Sequence, residues 1–195
     1  GSGFMDKTTQ RKYCLAQRKQ LSDQQRGEES MLIGRQVLQS REYQEAKRIF
    51  CYVATPYEVA TDEILIDALR QGKMVCVPYI TDVANGRMVA ARLTDMSQLV
   101  EGRFGIRSLA GDSLEVVEPE KLDLILAPGV AFDPHCNRIG MGGGYYDRFL
   151  VRAMSGNCRC IGLAFSCQLL PELQTAELDQ KVDMVITPSN IFIAK

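Results

Sequence analysis

Segments with the pattern of β-strands alternate along the chain with segments that have the pattern of α-helices. Arg48–Val53 is rich in β-favouring residues, and Met74–Val77 forms a second such segment that ends before Pro78. Between them, Thr61 is expected to cap a helix whose apolar residues recur at helical spacing until Gly72. A strand, a helix and a strand in this order pair their strands in parallel. The alternation therefore predicts an α/β fold.

The same alternation extends to both sides of this unit. Helices are predicted at 7–21 and 22–38, strands at 87–93, 122–127, 159–165, 183–187 and 191–194, and a further helix after the glycines at 142–144. Residues 94–120 are expected to be rich in loops. We expect residues 5–195 to form a single domain with a mostly parallel β-sheet flanked by helices, in a Rossmann-like three-layer architecture. Residues 1–4 resemble a cloning remnant.

The charges of the chain nearly cancel. It has 23 lysines and arginines and 24 aspartates and glutamates, which gives a formal net charge of −1. This composition does not indicate the strongly basic surface that nucleic-acid-binding proteins use. No apolar run approaches the roughly 20 residues that span a bilayer, and the first residues lack the apolar stretch of a signal peptide. We therefore expect a cytoplasmic protein without nucleic-acid or membrane partners, in which local contacts hold any bound anion.

The cysteines and the single histidine limit the kinds of metal site and catalytic mechanism that the chain can have. The seven cysteines are odd in number and mostly lie in apolar segments, as Cys51 does, which favours buried, reduced thiols. Cys158, Cys160 and Cys167 lack the partner spacing of a zinc site. Any histidine-dependent nucleophile would have to use His135, the only histidine. A reaction driven by a bound, activated cosubstrate fits better, and His135 is interpreted as a loop residue.

The segment Leu126–Leu150 leads from the end of a predicted strand through a glycine-rich loop into a helix. Glycines at 140, 142, 143 and 144 allow positive φ angles and a close backbone approach, so that amide groups can face phosphate oxygens. The helix N-terminus and Arg138 add positive charge at the same place. Neither a Walker-type loop nor a Gly-x-Gly-x-x-Gly dinucleotide motif is present. The glycines alone fit either an anion-binding loop or a tightly turned surface loop.

The sequence of this segment resembles that of a known family. Pro128-Gly-Val-Ala-Phe-Asp133, Asn137-Arg-Ile-Gly140 and Gly142-Gly-Gly-Tyr-Tyr-Asp-Arg-Phe-Leu150 resemble the signature of the 5-formyltetrahydrofolate cyclo-ligases, also called methenyltetrahydrofolate synthetases. The resemblance extends to a basic opening made of Lys7-Thr-Thr-Gln-Arg11 and Arg18-Lys-Gln-Leu-Ser22, to Glu58, to Phe104-Gly105-Ile106 and to Asp179-Gln-Lys-Val-Asp183. It therefore spans nearly the whole chain.

Four positions depart from the family pattern. Cys136 stands where the family has glycine, Met141 replaces a tyrosine or arginine, Arg107-Ser108 replaces Glu-Pro, and Gln10 replaces an apolar residue. None of these changes removes a group that the implied chemistry requires. Cys136 is the departure that bears on the turn before Arg138.

The resemblance implies an enzyme, an ATP-dependent ligase that forms a carbon–nitrogen bond. Its substrates are ATP and 5-formyltetrahydrofolate, with or without further glutamates, its products are 5,10-methenyltetrahydrofolate, ADP and phosphate, its metal is Mg²⁺, and a monomer is expected. The formyl oxygen takes the γ-phosphoryl group, and N10 then closes the ring. Such chemistry needs positioning and charge neutralisation rather than a protein nucleophile. The alternatives are a non-catalytic folate-storage protein and an ATP-dependent enzyme that activates another amide-like oxygen.

The resemblance also implies the residues of the site. The catalytic residues are Arg138, Tyr145 and Asp147. The ATP-binding residues are Lys7, Arg11, Arg138, Ile139, Gly140, Met141, Gly142, Gly143, Gly144, Tyr145 and Tyr146. The folate-binding residues are Glu58, Phe104, Met141, Gly142, Gly143, Gly144 and Tyr145. The metal ligands are Asp147 and Asp179, with Asp183 as the alternative to Asp179.

The charged residues in this set also have simpler interpretations. The alternative for Asp147 is an acid at the start of a helix that interacts with the helix dipole. Asp179 and Asp183, four residues apart, would share a helical face and form a solvated pair. Lys7 and Arg11, one helical turn apart, either clamp one polyphosphate or form a charged helix surface.

The remaining residues are open to the same comparison. By spacing alone, Tyr145 and Tyr146 fit packing residues, and Tyr146 falls on the apolar stripe of its helix. Tyr145 alternatively faces the substrate. Glu58 is either an acceptor for the amino and ring N–H groups of a pterin or a surface acid.

Overall fold

In a computed structural model, which describes residues 6–102 and 105–195, helices and strands alternate along the chain. The α-helices of these residues are α1 (Lys7–Gln20), α2 (Asp23–Gln39), α3 (Arg41–Glu45), α4 (Asp62–Arg70) and α5 (Tyr145–Ala153). The β-strands are β1 (Arg48–Cys51), β2 (Met74–Asp82), β3 (Arg87–Leu93), β4 (Leu99–Glu101), β5 (Arg107–Leu109), β6 (Val116–Val117), β7 (Leu124–Ala127), β8 (Ala131–Phe132), β9 (Arg138–Ile139), β10 (Arg159–Leu163), β11 (Met184–Ile186) and β12 (Ile191–Ile193). None of the described helices is both long and apolar enough to cross a membrane.

Eight strands form one sheet in the order β12-β11-β10-β7-β1-β2-β3-β6. The five inner strands from β11 to β2 pair in parallel. The edge strands β12, β3 and β6 join them antiparallel. The pairs β4–β5 and β8–β9 are separate two-stranded sheets. The predicted α/β fold with a mostly parallel sheet is confirmed.

The inner strands are buried on both faces, which divides the core into two layers. In β1, Ile49 and Cys51 pack on one side of the sheet with the apolar residues of α2 and α4. Phe50 points to the other side, where it packs with α5 and with Ile125 of β7. Burial of each such large side chain stabilises the fold by about 1.5–3 kcal/mol. Helices on both faces of the sheet give the predicted three layers.

Within the unit β1–α4–β2, the role predicted for Thr61 is wrong. Thr61 precedes α4 as expected, but its side chain does not cap the helix. Instead, the buried hydroxyl donates to the carbonyl of Tyr52 at 2.8 Å and accepts from the amide of Ala54 at 3.3 Å. The hydroxyl therefore stabilises the loop that leaves β1. Gly72 ends the helix with a φ of +74°, as predicted.

Three further features were not predicted. The short helix α3 lies between α2 and β1, and the segment predicted as loop-rich contains β4, β5 and β6. Strand β2 continues through Pro78 to Asp82, although the prediction ended it before the proline. Strand β1 pairs with β2 only as far as Cys76. At Pro78 one side of β2 is therefore open, and a missing N–H is tolerated at an open strand edge.

Cys136 has a backbone conformation that favours glycine. Its φ of +66° is the one positive value at a non-glycine residue in the part of the chain that the structure describes. For such a residue the left-handed region costs about 1–2 kcal/mol. The buried thiol packs in the same layer as α5 and lies 3.5 Å from the carbonyl oxygen of Phe192. Glycine, the residue of the family pattern, would adopt the φ of Cys136 without this cost.

All seven cysteines are free thiols, and Cys167 alone among them is not buried. Burial raises the pKa of Cys14 and of Cys136 to about 11 and that of Cys158 to about 12. Thiols with such values stay protonated at neutral pH and are poor nucleophiles and metal ligands. In residues 6–102 and 105–195, no group of three or more cysteine, histidine or acidic side chains is placed to hold a metal ion. The interpretation of the cysteines as buried thiols is confirmed.

We predict that Thr61→Val lowers the free energy of unfolding by about 1–3 kcal/mol, because it leaves two buried backbone groups without their partner. Urea denaturation measures this loss. Ser22→Ala is the control, since Ser22 caps α2 at an exposed position, and its loss should be about 1 kcal/mol. A loss of a few tenths of a kcal/mol for Thr61→Val would contradict the assigned role of the hydroxyl.

Candidate active site

A cavity of about 910 Å³ lies at the carboxyl ends of β1 and β7. Strand β1 leads to β2 on one side, and β7 is followed by β10 on the other side. The winding of the chain therefore changes direction between these neighbours, and ligands bind in the crevice at such a point. Tyr52 and Val53 line the cavity after β1, and Pro128 and Gly129 line it after β7.

The glycine-rich segment forms one wall of this cavity. After β7 the chain makes the hairpin β8–β9, passes through the glycines and enters α5 at Tyr145. Gly142 and Gly144 have φ angles of +102° and +74°, which other residues rarely adopt. A Cβ atom on Gly140 would lie 2.9 Å from the guanidinium of Arg138. The glycines therefore serve both the turn and the close approach of Arg138.

The carboxylate of Asp133 holds the hairpin β8–β9 in place. It is fully buried and accepts hydrogen bonds from the backbone amides of His135, Asn137 and Leu173, each at 3.0 Å. The side-chain amide of Asn137 donates a fourth at 2.9 Å. These bonds compensate the cost of burying a charge. Asp133 was included in the family motif but was assigned no role. No pattern in the sequence predicted that this carboxylate is buried.

Arg138 is a buried cation whose charge is unpaired by any described residue. The side chain is 6% exposed, and its Nε donates to the carbonyl oxygen of Pro128 at 2.6 Å. The guanidinium lies over the ring of Tyr146, 4.9 Å from the ring centre. Burial lowers the pKa of Arg138 and the charge of Asp147 opposes this, but a guanidinium stays protonated at neutral pH. No carboxylate of the described residues lies within 4.0 Å, so the charge is available to an anion in the cavity.

Helix α1 supplies a second group of cations. Lys7, Arg11 and Arg18 line the cavity, and Nε of Arg11 donates to the carbonyl oxygen of Gly140 at 2.7 Å. The spacing of these three residues places them on one face of a helix. Arg18 was quoted in the motif but was not predicted as a site residue, although this spacing could have indicated it.

Gln10 attaches α1 to the rest of the molecule. The side chain is buried, donates to the carbonyl oxygen of Glu172 at 3.0 Å and accepts from the amide of Gln174 at 2.9 Å. Both polar atoms are therefore paired with backbone. This explains how an amide side chain occupies a position where the family has an apolar residue.

Two carboxylates face these cations. Asp147 and Asp179 both line the cavity, and Asp147 accepts from the backbone amide of Gln180 at 3.1 Å. The ammonium group of Lys7 donates to both oxygens of Asp179, at 2.7 and 2.8 Å. Burial would raise the pKa of Asp179, but its hydrogen bonds from Lys7 and from the amide of Ala176 outweigh this, so the pKa is below its usual value. Asp179 is therefore ionised at neutral pH.

Asp183 has a different position from the one expected. Residues 171–183 contain no helix, so Asp179 and Asp183 do not share a helical face. The carboxylate of Asp183 accepts from the amide of Cys160 at 2.8 Å and lies outside the cavity. Asp183 connects the starts of β10 and β11, and Asp179 is the acid at the cavity.

The two tyrosines of α5 separate into two roles. Tyr146 packs between the layers of the core, with its ring centre 6.1 Å from that of Phe50. Tyr145 is half-buried at the cavity wall, and its hydroxyl lies 3.5 Å from the carbonyl oxygen of Val83. Both tyrosines line the cavity, but the ring of Tyr146 is covered on one side by Arg138 and packs on Phe50.

The residues predicted for the folate are only partly described by the structure. Glu58 lines the cavity, and its Oε1 accepts from the amide of Thr55 at 2.9 Å, which leaves the second oxygen for a ligand. Phe104 lies outside the described residues. Its neighbours Ile106 and Arg107 line the cavity, and Arg107 was not predicted as a site residue. Arg107 forms an ion pair with Asp62 at 2.8 Å.

Three other predicted residues lie at different depths. Met141 is 70% exposed at the mouth of the cavity. The side chain of Ile139 is buried in a small core cluster with Cys14 and Val130, so only its backbone is near the site. His135 is exposed and does not line the cavity, in agreement with its interpretation as a loop residue.

The turn between β2 and β3 holds the glycine-rich segment from the opposite side. Arg148 donates to the carbonyl oxygens of Gly143 at 3.0 Å and of Gly86 at 3.4 Å. Gly86 has a φ of +63°, and a Cβ atom there would lie 2.0 Å from the carbonyl oxygen of Gly143. The position of the glycine-rich segment therefore depends on the absence of a side chain at Gly86.

The cavity as a whole is suited to a polyphosphate. Five cationic side chains line it, against the three carboxylates of Glu58, Asp147 and Asp179. The cations are Lys7, Arg11, Arg18, Arg107 and Arg138. Of the described residues at the wall, none is a cysteine or a histidine. This composition favours the transfer of an activated group between bound ligands over attack by a protein nucleophile.

A model of the 5-formyltetrahydrofolate cyclo-ligase family matches residues 4–188. The chain belongs to this family. The 5-formyltetrahydrofolate cyclo-ligase of Mus musculus is 33% identical over 174 residues, which cover 85% of each chain. A probable 5-formyltetrahydrofolate cyclo-ligase of Caenorhabditis elegans is 37% identical over 161 residues, which cover 77% of each.

A solved structure of a related cyclo-ligase has the same fold. The NMR structure of Aquifex aeolicus 5,10-methenyltetrahydrofolate synthetase superimposes with a TM-score of 0.82 at 30% sequence identity. The superposition covers 97% of this chain and 93% of that one. The predicted family and fold are both confirmed.

We predict that Gly86→Ala displaces the glycine-rich segment, because the new Cβ would collide with the carbonyl oxygen of Gly143. Amide hydrogen exchange of residues 140–145 should increase by at least about tenfold, which corresponds to about 1.4 kcal/mol of lost local stability. Gly72→Ala is the control, since Gly72 has a similar φ of +74° but open space around it. Equal exchange in the two variants would show that the contact at Gly86 does not hold the segment.

Proposed function

We propose that this chain is an ATP-dependent 5-formyltetrahydrofolate cyclo-ligase that forms 5,10-methenyltetrahydrofolate, ADP and phosphate. The observation that carries the proposal is the unpaired, buried cation of Arg138 in the glycine-rich wall of a cavity with more cations than carboxylates. An unpaired charge is costly to bury unless a ligand or solvent compensates it. A nucleotide polyphosphate provides this compensation.

The phosphates of ATP bind between α1 and the glycine-rich segment. Lys7, Arg11 and Arg138 neutralise their charge, and the backbone at residues 140–144 approaches them closely. The N-terminus of α5 contributes its positive end. A guanidinium such as that of Arg138 donates two parallel hydrogen bonds to a phosphoryl group, which fixes its orientation for transfer.

Asp147 and Asp179 are suited to hold Mg²⁺. Both are acids at the cavity wall, and carboxylate oxygens are the protein ligands that Mg²⁺ prefers. These two carboxylates would hold the ion and would leave room for the phosphate oxygens of a nucleotide. When bound, Mg²⁺ neutralises charge on the group that is transferred. With Asp179 on the metal, the ammonium group of Lys7, which now pairs with Asp179, would be available to the phosphates.

The folate lies on the opposite side of the phosphates. The free oxygen of Glu58 accepts hydrogen bonds from the pterin, and the ring of Tyr145 faces the formyl group. The exposed Met141 borders this part of the site, and Phe104, which the resemblance also assigns to the folate, lies outside the described residues. The contacts fix the formyl oxygen next to the γ-phosphoryl group.

The reaction then proceeds in two steps between the bound ligands. The formyl oxygen attacks the γ-phosphorus, the bond to the bridging oxygen breaks, and ADP leaves. N10 attacks the formyl carbon, which loses the oxygen as inorganic phosphate together with the proton from N10. Arg138 stabilises the charge of the transferred phosphoryl group in both steps. No protein side chain has to become covalently attached.

The remaining expectations form part of the same proposal. The protein acts as a monomer in the cytoplasm, without nucleic-acid or membrane partners. A folate-storage protein would have the same cavity but no turnover, and an enzyme for another amide-like substrate would consume ATP without folate. The dependence of product formation on both substrates separates these alternatives.

Wild-type protein with Mg²⁺, ATP and 5-formyltetrahydrofolate should form 5,10-methenyltetrahydrofolate, which is followed by its near-ultraviolet absorbance. Omission of ATP or of Mg²⁺ should abolish the reaction, because the formyl oxygen is not activated without phosphoryl transfer. Absence of ATP-dependent product would exclude the cyclo-ligase activity.

Asp147→Asn should lower kcat by about 10²-fold or more, because it removes one charged ligand of the metal that neutralises the transition state. The asparagine keeps an oxygen for the amide of Gln180, so the neighbouring loop and the melting temperature should be retained. Glu177→Gln is the control, since Glu177 is exposed and outside the cavity. Unchanged turnover of Asp147→Asn would remove Asp147 from the metal site.

A further inference from the structure

Arg18 lies at the active-site cavity but has no partner among the described residues. Its side chain is half-buried and lines the cavity from the last part of α1. No described residue accepts a hydrogen bond from its guanidinium, and no described carboxylate lies within 4.0 Å of it. A guanidinium stays protonated at neutral pH, and its removal from water without a partner is unfavourable. The charge of Arg18 is therefore available to a bound anion.

Helix α1 runs along the cavity from the glycine-rich segment toward the end of β1. Arg11 lies at the glycine-rich segment, because its Nε donates to the carbonyl oxygen of Gly140 at 2.7 Å. Arg18 follows seven residues later on the same face of the helix, which is about 10 Å further along the helix axis. Arg18 is therefore too far along α1 to share all the contacts of Arg11.

The residues that follow β1 are close to Arg18. Burial and the charge of Glu58 raise the pKa of Tyr52, and the charge of Arg18 opposes this rise. The two charges thus act on the same phenol group, which is fixed by its hydrogen bond to the carbonyl oxygen of Val59 at 2.7 Å. Arg18 and Glu58 both line the cavity but form no ion pair with each other. A ligand in the cavity can therefore contact both.

The order of these residues along the cavity matches the order of the reacting groups. In the proposed complex, the phosphates of ATP lie at Arg11 and the glycine-rich segment, and the pterin lies at Glu58. The γ-phosphoryl group must be the phosphate nearest the folate, because it is transferred to the formyl oxygen. Arg18 lies on the way from Arg11 to Glu58, and this is the part of the cavity that the γ-phosphoryl group has to occupy.

We infer that Arg18 binds the γ-phosphoryl group of ATP and is a catalytic residue of its transfer, an inference that rests on the proposed function. In the transfer, the bond from the γ-phosphorus to the bridging oxygen breaks and a bond to the formyl oxygen forms. Arg18 exchanges no proton and forms no covalent bond. Its guanidinium donates parallel hydrogen bonds to the phosphoryl oxygens, over which the charge of the transition state is spread.

Arg18 and Arg138 differ in how they are held before the nucleotide binds. Arg138 is fixed by the carbonyl oxygen of Pro128 and lies over the ring of Tyr146. Arg18 has no such contact with the described residues, so the γ-phosphoryl group itself orients it. ADP lacks this group and leaves Arg18 without a partner. Arg18 should therefore contribute to the binding of ATP and not to the binding of ADP.

Arg18→Ala tests this difference by calorimetry with Mg²⁺ and either ATP or ADP, in the absence of folate so that no turnover occurs. The dissociation constant for ATP should rise by at least about tenfold, because a charge-assisted hydrogen bond is lost. The dissociation constant for ADP should stay within about twofold. Lys19→Ala is the matched control, since it removes the same charge from the same last turn of α1 at an exposed position outside the cavity.

Steady-state kinetics test the role of Arg18 in the transfer. With both substrates saturating, kcat of Arg18→Ala should fall by about 10²-fold or more, while the KM for 5-formyltetrahydrofolate stays within about twofold. Arg18→Lys keeps the charge but not the planar pair of donors, so it should recover part of the loss. Unchanged kcat with a higher KM for the folate would place Arg18 at the folate and would overturn the inference.

The nucleotide comparison separates this inference from the proposed activity. If wild-type protein binds both nucleotides but forms no methenyl product, the proposed activity fails, while the ratio of the two dissociation constants still tests Arg18. If the wild type is active and Arg18→Ala changes the dissociation constants for ATP and ADP equally, or changes neither, the inference is wrong. A wild-type protein that does not bind ATP would contradict both.

Discussion

A single buried carboxylate, that of Asp133, determines the shape of both cationic walls of the active site. Its bonds to His135 and Asn137 fold the hairpin that presents Arg138. Its bond to the amide of Leu173 holds the neighbouring segment, whose residues 172 and 174 are in turn bound by Gln10 of α1. The helix that carries the cations of α1 is therefore attached to the same segment, 172–174, that Asp133 holds.

This arrangement explains why the site needs few reactive side chains. The topology of the sheet opens a crevice between β1 and β7, and both cationic walls border it, with Arg11 of α1 bonded to the carbonyl oxygen of Gly140. Arginines held by backbone carbonyl oxygens, as Arg138 and Arg11 are, are oriented before any ligand binds. Preorganised charges of this kind stabilise a transferred phosphoryl group without reorganisation during the reaction. In the proposed reaction, the reacting groups are those of the bound substrates, and the protein holds these groups in position.

Local sequence patterns predicted the parts of the fold that depend on interactions between residues near one another in the sequence. The order of β1, α4 and β2 and their parallel pairing were predicted correctly because strand composition, helical spacing and Gly72 all act over a few residues. The helix α3 is too short to have a period of its own. The role of Thr61 was wrong because its hydroxyl is buried beneath a loop, a fact that depends on tertiary structure. Pro78 was taken as the end of a strand because the open edge of β2 is not visible in the sequence.

In the candidate site, too, the sequence did not predict the features that depend on tertiary structure. The glycine-rich segment and the resemblance identified Arg138, Asp147 and the opening helix, but they contained no information on which side chains face the cavity. Ile139 turned out to be buried away from it, and Asp183 connects two strands. Arg107 lines the cavity from β5, where its guanidinium pairs with Asp62. These distinctions depend on long-range packing, which no local pattern encodes.

The central claim is that the cavity brings the γ-phosphoryl group of ATP to the formyl oxygen of the folate. Isotope transfer in a single turnover tests this most directly. With 5-formyltetrahydrofolate labelled with oxygen-18 in the formyl group, mass spectrometry of the released inorganic phosphate should find one labelled oxygen for each methenyl product. Unlabelled phosphate, with the label lost to water, would contradict phosphorylation of the formyl oxygen.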